Sequence, residues 1–408
     1  MHISTWQGLI MKPIEIHANT YWVGVDDRST DLFEGVWPIH QEGVSYNSYI
    51  LKGEKNIIID LSKEITADDF FKQVQDIIPI HDIDYLIINH MEPDHTGALK
   101  RFINAAGDLT IICSEKAVGM IESFYGITDA VQAVKNGETL QLGDRELTFI
   151  TTPMVHWPES MMTYDTRNKI LFSSDIFGGY GALGDMIFDD TCSDSEMFDA
   201  EIKRYYVNIV AQYSKRAAQS LAGLSNTVVD IVAPAHGRIW RAQPQKVIQM
   251  YNDLAGYAGT PGKPAVTFIY GTMYGNTMQA VHAVREGIES TGLDCILFDV
   301  ARTHVSYILP YLWERAGVMI GCPTYEQALY PPMAGVLSFA AIKRITHKKW
   351  AYCGSYGWSK GAAKNAEKMI EPLKWENTGI FEFKGAPTNE DLKNARAFGE
   401  VFAKTLIV

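Results

Sequence analysis

Asn89-His90-Met91-Glu92-Pro93-Asp94-His95-Thr96-Gly97 follows directly on the apolar run Ile83 to Ile88. Four metal-capable side chains, His90, Glu92, Asp94 and His95, fall within six residues at the carboxyl end of a buried strand. A rigid strand feeding a loop is where convergent ligands are most easily held. Residues i and i+2 of an extended segment point the same way, so His90, Glu92 and Asp94 are expected to converge. His95 is then supplied by the start of the next helix. Burying these groups unpaired would be costly, which favours a shared cation.

Three further candidates stand just past apolar strands: His156 in Pro153-Met154-Val155-His156-Trp157-Pro158, Asp175 closing Ile170-Leu171-Phe172-Ser173-Ser174, and His236 after Ile231-Val232-Ala233-Pro234-Ala235. Singly, His156 reads as a hydrogen-bonded structural residue and Asp175 as a helix N-cap. Together the set holds four imidazoles and three carboxylates. That exceeds one tetrahedral site and suits two metals sharing a bridging carboxylate.

Around these residues, short strands are expected at Ile14 to Ile16, Thr20 to Val25, Ser45 to Leu51, Asn56 to Asp60, Leu109 to Cys113, Leu140 to Thr151, Met161 to Tyr164, Lys169 to Ser173 and Val228 to Val232. Helices are expected near Ala67 to Ile77, over Ser195 to Ala222 and from Pro244. Strands packed in sequence with a few helices between them imply a mixed αββα sandwich. Tyr205 and Tyr206 on the long helix are assigned to core packing, with a hydroxyl beside the metal site as their second role.

Ala255 to Pro264 holds three glycines and two prolines, and both residue types punctuate regular structure. It divides the chain into a domain over 1–257 and another over 264–408. After it, apolar strands at Ala265 to Tyr270, Cys295 to Val300, Gly317 to Cys322, Trp350 to Gly354 and Gly379 to Phe383 alternate with helices. Continuous apolar strands at this pitch read as a doubly wound parallel sheet of flavodoxin-like type, so the fold class is α/β with an α+β first domain.

The first strand of that half opens into Gly271-Thr272-Met273-Tyr274-Gly275-Asn276-Thr277 and then a helix. This is not G-x-G-x-x-G, so a dinucleotide fingerprint is absent. Its hydroxyls, amide and glycine, set on a helix N-terminus, suit a phosphate. Two further strand ends supply Pro323-Thr324-Tyr325-Glu326 and Gly354-Ser355-Tyr356-Gly357-Trp358, whose aromatics can stack on a planar ring. The three loops together read as a flavin pocket.

The 408 residues carry a net charge of −12, which argues against a nucleic-acid binder. No window of about eighteen apolar residues appears, so no membrane span is expected. The start, Met1 to Trp6, lacks the marks of a signal peptide. Five scattered cysteines without a C-x-x-C pair argue against a disulfide framework, a rubredoxin-type iron site and a cysteine-held iron–sulfur cluster, and point to a cytoplasmic protein.

The strand-loop motif with its downstream His, Asp and His resembles the metallo-β-lactamase superfamily, whose zinc hydrolases carry H-x-H-x-D-H. Here Glu92 takes the second position, and a carboxylate there favours iron over zinc. H-x-E-x-D-H, with His156-Trp157-Pro158-Glu159-Ser160 and Phe172 to Gly178, resembles the flavodiiron (A-type flavoprotein) family over almost the whole chain. That family's second segment is H-W-P-D-S, so Glu159 stands for an aspartate. The phosphate loop resembles the T-x-[TY]-G-x-T loop of flavodoxins, and the other two loops resemble the family's P-T and G-x-x-G-W-S segments, with Lys360 where glycine is common.

The resemblance implies one iron held by His90, Glu92 and His156, a second by Asp94, His95 and His236, Asp175 bridging, and FMN in the second domain. It implies reduction of dioxygen to water, of nitric oxide to nitrous oxide, or both, with no catalytic residues beyond the metal and flavin sites. A head-to-tail homodimer or dimer of dimers is expected to set the FMN of one subunit beside the diiron site of its partner. The chain ends at Val408, just past the flavodoxin-like unit, so electrons are expected from a separate donor: rubredoxin, a deazaflavin cofactor or a nicotinamide-dependent reductase. The alternatives are a zinc hydrolase fused to a flavodoxin-like module and an electron-transfer flavoprotein with a degenerate metal domain.

Overall fold

The computed structural model describes residues 11–407, so the reading of Met1 to Trp6 lies outside the described residues. The chain forms two compact units, Met1–Asn252 and Asp253–Val408. In the first, a seven-stranded sheet runs in the order Ile14–His17, Thr20–Trp22, Tyr49–Leu51, Ile57–Ile59, Tyr85–Ile88, Thr110–Ser114, Val131–Val134. It is antiparallel up to Ile57–Ile59 and parallel beyond. A five-stranded sheet, Thr139–Leu142, Arg145–Thr151, Met161–Asp165, Ile170–Ser174, Ile231–Pro234, is antiparallel except for its last pair.

Alternation builds the core between the sheets. Ile57, Ile59 and Ile87 from one sheet meet Leu147, Phe149 and Phe172 from the other, and the Tyr49 and Phe172 rings lie 5.1 Å apart. Ile58, Leu86 and Ile88 are buried on the opposite face. Each such side chain contributes about 1.5–3 kcal/mol by leaving water.

Several expected strands are interrupted, each for a local reason. Ser45 to Leu51 divides into Val44–Tyr46 and Tyr49–Leu51, which belong to different sheets. At the break, the Asn47 amide donates to the carbonyls of Pro234 and Gly237, and Ser48 to that of Asp60. Thr20 to Val25 likewise divides into Thr20–Trp22 and Val25–Asp27. Leu140 to Thr151 is a hairpin turning at Gly143-Asp144, and the strand expected at Val228 to Val232 forms at Ile231–Pro234. The helix expected over Ser195 to Ala222 is instead Ser195–Tyr205, a π-helical turn Tyr206–Val210, a 3-10 turn Ala211–Tyr213 and a helix Ser214–Gly223.

The second unit holds a parallel five-stranded sheet in the order Cys295–Asp299, Lys263–Tyr270, Arg315–Gly321, Lys349–Tyr356, Glu376–Lys384. Helices Asn276–Glu289 and Asn389–Ile407 close one face over a core that includes Phe268, Val284, Met319 and Phe402. This is the doubly wound order in which ligands lie at the carboxyl ends of the strands.

Candidate metal centre and flavin pocket

All seven candidate ligands meet at the carboxyl ends of strands in the first unit. They do not meet by strand alternation. Pro93 opens a single helical turn, Pro93–Thr96, with Glu92 as its N-cap, so Asp94 lies on a helix and not in an extended segment. Glu92 and Asp94 consequently serve different halves of the cluster.

In one half, Glu92 Oε2 lies 3.3 Å from His90 Nε2 and 3.0 Å from His156 Nε2. Asp175 Oδ2 lies 3.3 Å from each of the same two nitrogens, which are themselves 3.3 Å apart. In the other half, Asp175 Oδ1 lies 3.1 Å from His95 Nε2 and 3.3 Å from His236 Nε2. Asp94 adds Oδ2 at 3.3 Å from His236 and Oδ1 at 3.7 Å from His95. Donors bound at about 2.1 Å around one ion stand about 3.0–3.4 Å from each other, so these contacts, except the longer one between Asp94 and His95, have the spacing of a coordination shell.

The electrostatics agree with that chemistry. Burial works against a charged His156, but the hydrogen bonds and charges of Asp175 and Glu92 outweigh it and carry the imidazole to about 10. His236 rises to about 9 against its burial, through Asp175 and Asp94. Burial would raise Glu92, yet His156 and His90 hold it near 2. Without metal, the site therefore holds protons where cations would sit. Both oxygens of Asp94, Oδ2 of Asp175 and Nε2 of His236 are buried without a hydrogen bond. Orphaned donors of this kind fit divalent ions, two nitrogens and two oxygens to each.

The far nitrogens of the rings are also held. His90 Nδ1 pairs with Glu159 Oε1 at 2.8 Å, and Glu159 accepts the Met91 N–H at 3.0 Å. His236 Nδ1 donates to the Ser45 carbonyl at 2.8 Å, and Asp60 stands 3.7 Å from His95 Nδ1. Such contacts fix tautomer and ring orientation. Asp60 was legible as one more carboxylate closing a strand; the Ser45 carbonyl carried no sequence signal. Glu34 was also missed: it offers a ligand atom within 4.8 Å of those of Glu92 and His156, from a loop far away in sequence. Tyr206 bonds Ser214, whereas the Tyr205 ring packs 5.7 Å from that of His236.

In the second unit the three expected loops stand at adjacent strand ends. Gly275, at φ +93°, caps helix Asn276–Glu289, a conformation that favours glycine, and its N–H is held by Thr272 Oγ1 at 3.0 Å. Thr277 bonds Ser355 between hydroxyls at 3.0 Å, and Thr324 N–H donates to the Ser355 carbonyl at 2.8 Å, which knits the loops together. Met273, Tyr274, Tyr325 and Trp358 stay exposed, Tyr274 at 92% and Trp358 at 88%. Pro323 and Gly354 are buried beneath the loops; Asn276, Glu326 and Gly357 are exposed and Tyr356 is half-buried. Lys360 turns to Glu382 at 3.2 Å and lies over the Tyr356 ring. A helix N-terminus with hydroxyl donors and exposed aromatics fits FMN.

A mixed-sheet sandwich carrying a two-lobed His/carboxylate cluster, joined to a flavodoxin-like unit, defines a metalloflavoprotein. Residues 44–237 match the family model described as ODP family beta lactamase, and residues 268–399 match that of flavodoxin. The anaerobic nitric oxide reductase flavorubredoxin of Escherichia coli is 32% identical over 397 residues, covering 96% of this chain and 82% of that protein. Rubredoxin oxygen:oxidoreductase of Desulfovibrio gigas superposes with a TM-score of 0.91 at 28% identity, covering 97% of this chain and 99% of that one. The flavodiiron protein of Giardia intestinalis gives a TM-score of 0.90 at 28% identity, with 97% of both chains covered. The chain belongs to the flavodiiron protein family.

Proposed function

We propose that this protein is an oxidoreductase that reduces dioxygen to water, nitric oxide to nitrous oxide, or both, with a non-haem diiron centre in its first unit and FMN in its second. One observation carries the reading: the two oxygens of Asp175 face two separate His/carboxylate groups. His90, Glu92 and His156 would hold one iron, Asp94, His95 and His236 the other, and Asp175 would bridge them. When bound, the irons would supply open coordination positions and electrons to substrate, and FMN a two-electron store. Glu159 and the Ser45 carbonyl orient His90 and His236, and burial keeps bulk water from the imidazoles.

The activities for which the relatives are named support both gases as substrates, and Glu92 together with the flavodoxin-like unit favours this reading over zinc-dependent hydrolysis. The donor is a separate rubredoxin, deazaflavin cofactor or nicotinamide-dependent reductase. The active form is a head-to-tail homodimer or dimer of dimers. The free thiols of Cys113, Cys192, Cys295, Cys322 and Cys353 support a cytoplasmic setting. Among the described residues no helix is long and apolar enough to cross a membrane.

Metal and flavin analysis, followed by anaerobic assay with a reduced donor, tests the reading. Two irons and one FMN per chain with consumption of either gas are expected. Two zincs with thioester or phosphodiester hydrolysis would replace it with the hydrolase. A monomeric variant with both cofactors and full turnover would refute the dimer.

A further inference from the structure

The helix that carries Tyr205 widens into the π-helical turn Tyr206–Val210 beside the metal cluster. Such turns recur at functional sites. Around this one, the hydroxyls of Tyr205 and Tyr180 and both amide atoms of Asn208 are fully buried and, beyond the contact of Asn208 with the Tyr180 hydroxyl, have no hydrogen-bond partner. Buried polar atoms left dry are costly, and four in one place call for internal water between them.

These groups are contiguous. The Tyr205 ring packs against His236, and its hydroxyl feels the charges of Asp175 and Asp94. The Tyr180 ring lies 5.2 Å from that of Tyr205, and the Asn208 amide neighbours the Tyr180 hydroxyl. Arg204 covers the Tyr180 ring at 4.5 Å, donates to Glu201 Oε2 at 2.7 Å and lies 3.4 Å from Glu42. The side chains of Glu201 and Glu42 keep 9% and 13% of their surface in solvent. The string therefore runs from the metal cluster to the surface.

We propose that Glu201, Asn208 and Tyr180, with bridging water, form a route that delivers protons from solvent to the Tyr205 hydroxyl at the metal centre. The inference rests on the oxidoreductase reading. One dioxygen becomes two waters by taking up four electrons and four protons. Two nitric oxides become nitrous oxide and water by taking up two of each. The reduced donor supplies the electrons, and a buried centre needs a path for the protons. None of Glu201, Asn208 and Tyr180 is among the candidate metal ligands, so they act as positioning and relay residues.

Glu201 is suited to the surface end. Burial raises its carboxyl to about 7, Arg204 opposing and Glu42 assisting the rise. The groups facing it are Arg204 on its own helix, Glu42 from the loop before Val44–Tyr46 and, across Arg204, Tyr180 from the loop after Ile170–Ser174. A carboxyl half-protonated near neutrality both takes up and releases a proton readily.

The test compares the iron- and FMN-loaded protein with Glu201→Gln and Tyr180→Phe, which keep the shapes and remove the acid and the hydroxyl. Expected are unchanged iron and flavin content, unchanged flavin reduction by the donor, and turnover slowed by about tenfold to a hundredfold. The solvent deuterium isotope effect should grow, and the fall in rate as pH rises through about 7 should vanish in Glu201→Gln. Infrared spectroscopy gives a readout independent of turnover: a protonated-carboxyl band in the wild type that titrates around pH 7 and is missing from Glu201→Gln. A wild type without that band overturns the proposal even if neither variant folds. Variants that match an active wild type in rate and pH profile overturn the route alone, whereas a loaded wild type that consumes neither gas overturns the oxidoreductase reading and the role of the route with it.

Discussion

Asp175→Asn is the most informative single change, because it keeps the shape of the side chain and alters one atom. Both carboxylate oxygens are used, Oδ2 toward His90 and His156 and Oδ1 toward His95 and His236, all between 3.1 and 3.3 Å. An asparagine presents an N–H₂ to one of these pairs, and that group neither binds a cation nor accepts a proton. Removing one partner of a buried charge pair costs about 3–5 kcal/mol. At about 1.4 kcal/mol per decade, affinity at the affected half should fall by about two to three and a half orders of magnitude. Chelator competition on the purified variant, followed by metal analysis, should find one tightly held ion in place of two. In the metal-free protein the same change should lower the His156 and His236 titrations from about 10 and about 9. A variant that keeps two metals per chain with wild-type resistance to chelator would refute the bridging role and the two-lobed centre built on it.

Metal removal should reverse the pH dependence of stability. His156 and His236 stand above their unfolded value near 6.5, so their stabilisation of the metal-free fold is complete below that pH and lost as pH rises through 9 to 10. Glu92, near 2 when folded, stabilises above about 4.5 and loses this as pH falls toward 2. The Tm of the chelated protein should therefore be highest at mildly acidic pH, and the gap to the metal-loaded protein should widen as pH rises. Glu159→Ala leaves His90 Nδ1 only the longer 3.4 Å contact with Ser160 Oγ and should weaken metal binding by about ten- to a hundredfold, whereas Glu159→Asp should recover most of it; equal losses would deny Glu159 an orienting role. Gly275→Ala adds a Cβ that meets no atom within 4 Å, so its cost is the left-handed backbone alone, about 1–2 kcal/mol. Flavin fluorescence titration should show FMN binding weakened by about tenfold, and unaltered binding would remove the loop from the phosphate site.

How much was legible in the sequence differs between the two units for a physical reason. In the parallel sheet each strand is built round a short apolar run and a helix follows each strand, so the pattern is local and all five strands stand close to where it places them. In the sandwich, the interruptions come from partners far away in sequence. Asn47 breaks its strand by bonding Pro234 and Gly237, a contact between residues nearly two hundred positions apart that periodicity does not register.

The candidate ligands were legible because each closes an apolar strand, and the two lobes were not, because Pro93 exchanges strand geometry for a helical turn between Glu92 and Asp94. That turn is what allows one loop to serve two ions. Glu92 remains on the extended side with His90 and His156, while the helix carries Asp94 and His95 round to His236. A loop kept extended through Asp94 would direct all three alternate side chains at one centre and leave His236 with a single carboxylate. The separation of the lobes thus follows from a proline at the first position of a four-residue helix, and the bridging of them from a strand-end aspartate with one oxygen for each.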